Sequence, residues 1–376
     1  MWQSSQYYKK LRLGELPLLP VIEIVKSMRL KDQINLALSS KKFEAVCSIA
    51  RVKVEWFFFH VRDEYTRLDL GKSISLCCGD KESNVNGIEK ISYQKLSKWL
   101  ATGSSATSLQ RLVCLSERIN TIFRSKNIHL SIYLDRMKNA SVKDIMDVPM
   151  FKNCEKITLV RGEIESDDLR LVLDMAKNLK YFRIFGTKVP SDFQHERVFS
   201  IQSFEYEDAK WVKLENLLTM RNSIDVTLGT TSLTYLDFNQ FLKFWVNSEV
   251  DMFVEFCIKM EENISLQVLF DGLLRLDSSR FDVPTYFIIA GSTMVNRKNP
   301  FLYVQYTHGR LKFWAPTEKE PFQSEIDALR ILEKQAKLRK KMEGIENLDQ
   351  NDMRRMKALD MQLNELLAEG KFIIGE

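Results

Sequence analysis

The residues Thr66-Arg67-Leu68-Asp69-Leu70-Gly71-Lys72-Ser73 end in the Gly-Lys-Ser of a phosphate-binding loop. Such a loop wraps phosphates with backbone amides and needs a glycine five residues before Gly71, where Thr66 stands instead. The chain has no Gly-x-Gly pair, so the dinucleotide fingerprint is missing too. Its histidines (His60, His129, His195, His308) are scattered, none beside a cysteine or carboxylate at a catalytic spacing. The cysteines (Cys47, Cys77, Cys78, Cys114, Cys154, Cys257) form no Cys-x-x-Cys pair and meet no histidine at metal-ligand spacing. Adjacent thiols such as Cys77-Cys78 in an apolar strand read as packing, and Asp167-Asp168 as helix-start charges. The expectation is a protein without catalytic residues, metal or cofactor. A hydrolase or nucleotide-binding enzyme with a diverged motif is the smaller alternative, and a pocket with converging titratable groups would revive it.

Composition points the same way. Of 376 residues, 45% are hydrophobic and 28% charged, which is ordinary for a globular chain. The formal net charge of +5 is too small to argue for nucleic acid or a membrane surface. Unpaired cysteines fit a reducing compartment, cytoplasmic and/or nuclear. The start, Met-Trp-Gln-Ser-Ser-Gln-Tyr-Tyr-Lys-Lys, has no signal-peptide core, and no apolar run reaches the roughly twenty residues that a bilayer needs. Asn139-Ala140-Ser141 and Asn263-Ile264-Ser265 match a glycosylation triplet that is frequent by chance.

With no chemistry to position, the elements themselves carry the reading. Leu16-Pro17-Leu18-Leu19-Pro20 opens a short helix through Met28, and two more follow by Phe43 and beyond. Val21, Ile24, Val25 and Met28 share one side of the first helix while Leu18 and Ile22 lie on another, so one buried face cannot cover them all. Pro20 falls in the first turn, where proline is tolerated. The Leu-Pro start, the aliphatic helix ending in Lys26-Ser27-Met28, and the helix Leu36-Ala37-Leu38-Ser39-Ser40-Lys41-Lys42-Phe43 resemble an F-box, in the form common among nematode F-box proteins. That resemblance implies docking on a Skp-family adaptor of a cullin ubiquitin ligase, through Leu16, Pro17, Leu18, Ile22, Ile24, Val25 and Leu36. The alternative is a helical cap of the body with no ligase connection. Burial of Leu18, Ile22 and Val25 against the body favours the cap, and a solvent-facing patch favours docking.

The middle of the chain has a beat. Val52–Val61 and Thr66–Cys78 read as extended, Gly79–Gly87 and Thr102–Ser108 as loops, and Leu109–Phe123 as a helix with Leu112, Leu115, Ile119 and Ile122 in line. Alternating apolar segments then recur at Ile132, Leu159, Ile184, Tyr206, Leu228 and Phe256, in the window of about 20 to 29 residues of leucine-rich repeats. Between them Ser166, Asp208 and Thr234 each precede a helical run, the last carrying Leu236, Phe238, Phe241, Leu242 and Trp245. The consensus is degenerate, so a non-repeating α/β domain stays open. In a repeat stack the outward strand residues Ser131, Tyr133, Thr158, Tyr181, Arg183, Glu205, Asp225, Thr227 and Glu255 face a partner. Tyr133, Tyr181 and Arg183 are the expected anchors for a target protein. Tyr286–Gly291, Phe301–Tyr306 and Arg310–Trp314, with turns at Asn299-Pro300 and His308-Gly309, read as a closing antiparallel set.

Residues 136–315 also resemble the F-box-associated region of the nematode families, in Ile157-Thr158-Leu159-Val160-Arg161-Gly162 and the helix Leu236–Trp245. After Pro316 and Pro321, the stripes Ile326, Leu329, Leu332, Ala336 and Met356, Leu359, Leu363, Leu366 fit a helical hairpin lying on the body or standing in solvent. Lys337–Lys341 resembles a nuclear-import cluster, though such runs are commonly a solvated helix face. The expected class is α+β. Its order is a tail (1–12), a three-helix F-box (13–52), a connecting region (53–127), a leucine-rich-repeat-like F-box-associated body ending in an antiparallel sheet (128–315), and a helical tail (323–370). The implied function is substrate recognition for the ligase; the alternative is a leucine-rich-repeat-like interaction scaffold without it. The target is left unidentified.

Overall fold

The computed structural model describes residues 13–79, 89–91, 93–101, 106–260, 265–278, 280–294, 297–317, 320–343 and 350–375. The expected 1–12 tail, all but the first residue of the turn Gly79–Gly87, part of the loop Thr102–Ser108, and Asn263 lie outside the described residues. The fold is α+β. Contacts divide the chain into two units, 1–160 with 174–179, and 161–173 with 180–376.

The first unit opens with α1 (Leu18–Ser27), α2 (Leu30–Ser39) and α3 (Lys41–Ala50). Proline before α1 leaves its start without a side-chain cap. Its other end is closed by Gln33, a buried residue of α2 whose amide donates to Val25 O and Met28 O, both at 2.9 Å. Helix C-termini leave carbonyls without partners, and this one side chain satisfies two while fixing α2 against α1. Ser40 caps α3 by accepting from Phe43 N at 3.3 Å.

There follow β1 (Val52–Lys53), β2 (Trp56–Val61), β3 (Tyr65–Leu70), β4 (Ile74–Gly79), β5 (Glu89–Ile91), α4 (Tyr93–Leu100), α5 (Ser108–Ile122), β6 (Phe123–Arg124), β7 (Asn127–Tyr133), α6 (Val142–Met146) and β8 (Lys156–Glu163). Strand β2 pairs antiparallel with β3 and parallel with β7, which pairs parallel with β8. The segment expected as one extended stretch, Thr66–Cys78, is a hairpin: Leu70 pairs with Ile74 across a turn in which Gly71 has φ +56°. Thr107 and Gln110 form a capping box on α5, and Leu112, Leu115, Ile119 and Ile122 are all buried. Arg118 of α5 holds Glu44 of α3 at 3.1 Å, tying the opening helices to this unit.

The second unit takes the end of β8, most of α7 (Ser166–Met175), β9 (Tyr181–Lys188), β10 (Ser203–Asp208), α8 (Leu214–Leu217), β11 (Ser223–Thr230), α9 (Tyr235–Asn247) and β12 (Phe253–Lys259). Strands β9 to β12 pair in parallel and in chain order. Ile184, Tyr206 and Leu228 are register partners as their spacing suggests, but Leu228 pairs with Ile258, not Phe256. The longer step accommodates α9, a full helix, whereas the run expected after Asp208 forms only the short α8, with Trp211 buried beside it. Leu236, expected on the apolar face of α9, is exposed. Phe182, Ile184, Phe204, Tyr206, Val226, Leu228, Phe256 and Ile258 are buried, with Phe256 against Phe241, and Tyr206 against Phe199 and Trp211.

Next come α10 (Leu266–Phe270), β13 (Leu276–Ser278), β14 (Thr285–Ile289), β15 (Phe301–Thr307), β16 (Arg310–Trp314), α11 (Gln323–Met342), α12 (Gln350–Ala368) and β17 (Phe372–Ile374). Strand β16 pairs antiparallel with β12, which covers the last parallel edge as the closing sheet was expected to do. His308 and Gly309 both have positive φ, 50° and 71°, as the tight hairpin between β15 and β16 requires. Ahead of β15, Arg297 donates to Trp245 O and to Asn299 O, which fixes the Asn299-Pro300 turn. Strand β17 was not anticipated: three residues after the tail helices return to pair with β13.

The expected hairpin α11–α12 lies on the unit. Leu329 and Leu363 pack with Phe287, Phe301 and Phe322, and Tyr303 and Trp314 flank that cluster. Glu333 anchors it, accepting from Ser292 N at 2.9 Å, Lys337 Nζ at 2.8 Å and an Arg330 guanidinium N–H at 2.8 Å. Burial opposes ionisation of Glu333, yet these bonds overcome it and hold the carboxyl down at about 2. A depressed carboxyl stabilises the fold above its unfolded value near 4.5 and loses that contribution as pH falls toward 2. Glu333→Gln is therefore expected to lower stability by roughly 2–3 kcal/mol at neutral pH, with the gap to wild type closing in acid when urea midpoints are compared.

Candidate partner-binding surfaces

On the opening helices the seven sequence-derived residues separate by burial. Leu18 is 50% exposed, and Leu16, Ile24 and Leu36 are half-buried beside an exposed Pro17. Ile22 and Val25 are only 7% and 0% exposed. The expectation put both on the docking surface; the structure places them in the chain's own interior, because α1 turns that side toward α3. Leu19, absent from the sequence-derived set, is the barest aliphatic of α1 at 76% exposed. The signal was available, since Leu18 and Leu19 are adjacent in a first turn and cannot both face inward. What remains in solvent is an apolar knuckle at the start of α1, with Ile49 of α3 a further exposed side chain.

The second surface is the outward side of the parallel strands in the second unit. Register aligns Tyr181, Ser203, Asp225, Glu255, Trp314 and Tyr303 in one row, and Arg183, Glu205, Thr227, Cys257, Lys312 and Gln305 in the next. The α11–α12 hairpin covers the antiparallel end of this side, and the rows over β9 to β12 stay accessible. Two of the three expected anchors come together here. Tyr181 is exposed, and Arg183 lies 5.0 Å from the Phe185 ring centre while bonding Glu205 at 2.8 Å. Phe185, a third outward residue of β9, was not anticipated. Lys312 holds Glu255 at 2.8 Å. Partial burial, then the Glu255 and Glu205 charges, raise the Asp225 carboxyl.

At one end of these rows a cavity of 380 Å³ is lined by Phe185, Glu205, Glu207, Gly229, Lys259 and Arg310, among others. Lys259 and Arg310 stand opposite each other in the register. Glu207 accepts from Gly186 N at 2.6 Å, and a side chain at Gly229 would strike the Glu207 carbonyl. The lining thus mixes carboxylates bonded to Arg183 and to the Gly186 amide with the cations Lys259 and Arg310.

Tyr133, the third expected anchor, belongs to the first unit, where it is half-buried with the Arg62 guanidinium 3.8 Å from its ring centre. Ser131 and Thr158, also expected to face outward, are buried there. The same unit joins groups that sequence spacing kept apart. His60 Nε2 lies 3.2 Å from Asp69 and 2.7 Å from Arg67, which also pairs with Asp69 at 3.1 Å. Arg67 can only donate and the Asp69 carboxylate can only accept, so Nε2 serves one of them at a time, accepting from Arg67 when bare and donating to Asp69 when protonated. Burial lowers the His60 pKa and keeps the ring neutral. Burial also pushes up the thiols of Cys77 and Cys78, the latter to about 12, the reverse of nucleophile activation. The Gly-Lys-Ser sequence leads into strand β4 rather than a helix, so its amides form no phosphate cradle.

Residues 13–55 match the F-box domain, and residues 192–258 match the F-box-associated family. The chain carries an F-box followed by an F-box-associated domain. The F-box match ends within three residues of the expected boundary and spans α1 to α3. The F-box-associated match is narrower than the expected 136–315: it includes α9 and the strands β10 to β12, and omits Ile157–Gly162. A comparison with curated proteins finds no match. Among the described residues no helix is long and apolar enough to cross a membrane.

Proposed function

We propose that this chain is a substrate-recognition adaptor of a cullin-based ubiquitin ligase, working in the cytoplasm and/or nucleus. F-box domains bind Skp-family adaptors in such ligases, and the observation that carries the reading is the exposed Leu18-Leu19 pair within the segment that matches an F-box. The chain would transfer nothing itself; it would raise the effective concentration of target lysines near the ligase. A target protein would lie across the outward rows of β9 to β12, with Tyr181, Arg183 and Phe185 as anchors, since aromatic and arginine side chains dominate such contacts. The in-order parallel strands support the leucine-rich-repeat-like description of this body, and the opening helices keep their resemblance to the nematode form.

A second reading has a specific observation in its favour. Ile22 and Val25 pack inside the chain, as they would if the helices only capped a repeat-like scaffold without ligase connection. Affinity capture from cells with the proteasome blocked separates the two. The adaptor reading expects a Skp-family protein and a cullin with wild type, and with Tyr181→Ala, Arg183→Glu the same ligase partners but loss of the accumulated target. Capture of neither ligase component by wild type would leave the scaffold reading.

A further inference from the structure

Helix α11 changes character along its length. Its first half packs on the sheet, whereas Lys334 to Met342 carries five cations and no carboxylate. Lys334, Lys337 and Lys341 of α11, with Arg355 of α12, rim a groove of 490 Å³ whose floor includes Leu338 and Leu359. The four cations are exposed and the two leucines half-buried. Among the described residues two carboxylates meet this rim: Glu333 meets Lys337 at 2.8 Å, and Asp352 meets Lys341 at 2.7 Å and Arg355 at 3.7 Å. Lys334 has no ion pair or hydrogen bond among the described residues. Positive charge is thus in excess around an apolar floor.

We infer that this groove receives an acidic amphipathic helix of a partner protein, with its apolar side on Leu338 and Leu359 and its carboxylates against the rim. Charge complementarity sets the sign of the occupant, and the two half-buried leucines between α11 and α12 set its class. A nucleic acid would engage the cations through phosphates but leave the leucines unfilled. An anionic bilayer takes up apolar side chains that project fully from a helix surface, whereas these two are half-buried between α11 and α12. From Lys334 to Lys341 the rim runs about 10 Å, so roughly two turns of helix suffice. This surface is separate from the outward strand rows and does not depend on the ligase reading.

The test uses the full chain and a fluorescent helical peptide with leucines at three- and four-residue spacing and glutamates between them, followed by anisotropy. The peptide is expected to bind, to bind at least about tenfold more weakly to Lys334→Gln, Arg355→Gln, and to lose affinity as salt rises. Both substituted side chains are exposed, and Lys341 at 2.7 Å keeps the buried Asp352 carboxylate paired when Arg355 is replaced, so at most a small shift of the melting curve is expected alongside. Leu338→Gln supplies the apolar counterpart. The inference is overturned if the acidic peptide fails to bind wild type, if the charge variant binds it equally well, or if a lysine-for-glutamate peptide binds as tightly. It is equally overturned if a single-stranded oligonucleotide or phosphatidylserine vesicles bind through these cations and the peptide does not.

Discussion

A chain carrying Leu18→Asp and Leu19→Asp is expected to bind a Skp-family adaptor at least about a hundredfold more weakly than wild type, a loss of about 2.7 kcal/mol. Fully burying a leucine is worth about 1.5–3 kcal/mol. With 50% and 76% of these side chains still exposed, most of that gain is unspent in the free chain. A carboxylate at either position also brings a charge into an apolar contact without a partner, which adds to the loss. Stability of the chain itself should not fall, because both positions are in the first turn of α1, where negative charge suits the helix dipole. Val25→Asp makes the opposite pattern: that side chain is fully buried, so its variant should unfold the opening helices before any partner is considered. Titration calorimetry for affinity and urea unfolding for stability distinguish a docking residue from a core residue.

The largest stability loss is expected for Trp245→Ala, about 3–5 kcal/mol in urea unfolding. Trp245 is fully buried near the end of α9, between the helix and the strands it covers. Arg297 lies over it, with its guanidinium 4.0 Å from the ring centre and a bond of 2.6 Å to Trp245 O. Burial lowers the Arg297 pKa to about 10, and Asp251 opposes that shift, so the group remains a cation at neutral pH. Removing the indole therefore opens a cavity and also strips a buried cation of its ring, a contact worth about 2 kcal/mol when desolvated. Trp245→Phe keeps an aromatic face for Arg297 and should retain most of the stability. Equal losses for the two variants would show that packing volume alone matters at this position.

Periodicity carried much of the second unit into the sequence reading. Alternation in Ile184, Tyr206 and Leu228 reports a half-covered strand wherever it occurs, and helix starts such as Thr234 are local signals that need no tertiary knowledge. The misplacements have equally local causes. Alternation alone puts Phe256 in line with Leu228, but a two-residue slip preserves that alternation, and the observed partner of Leu228 is Ile258. Ile22 and Val25 were assigned to a partner because counting apolar positions measures how much surface needs cover, not which element provides it. The α3 face that covers them is a packing partner no count of apolar positions names, and the Gln33 bridge between α2 and α1 is a polar contact with no sequence signature. Strand β17 is three residues long, too short for any period to register.

The docking of α1 is tested most directly by amide hydrogen exchange on the full chain with and without a purified Skp-family adaptor. The first amides of a helix have no intrahelical acceptor and exchange quickly unless a partner covers them. Addition of the adaptor should slow exchange over residues 16–19 and leave β11 (Ser223–Thr230) unchanged. Unaltered exchange over residues 16–19 at saturating adaptor, or protection confined to the second unit, would contradict the docking role of the opening helices.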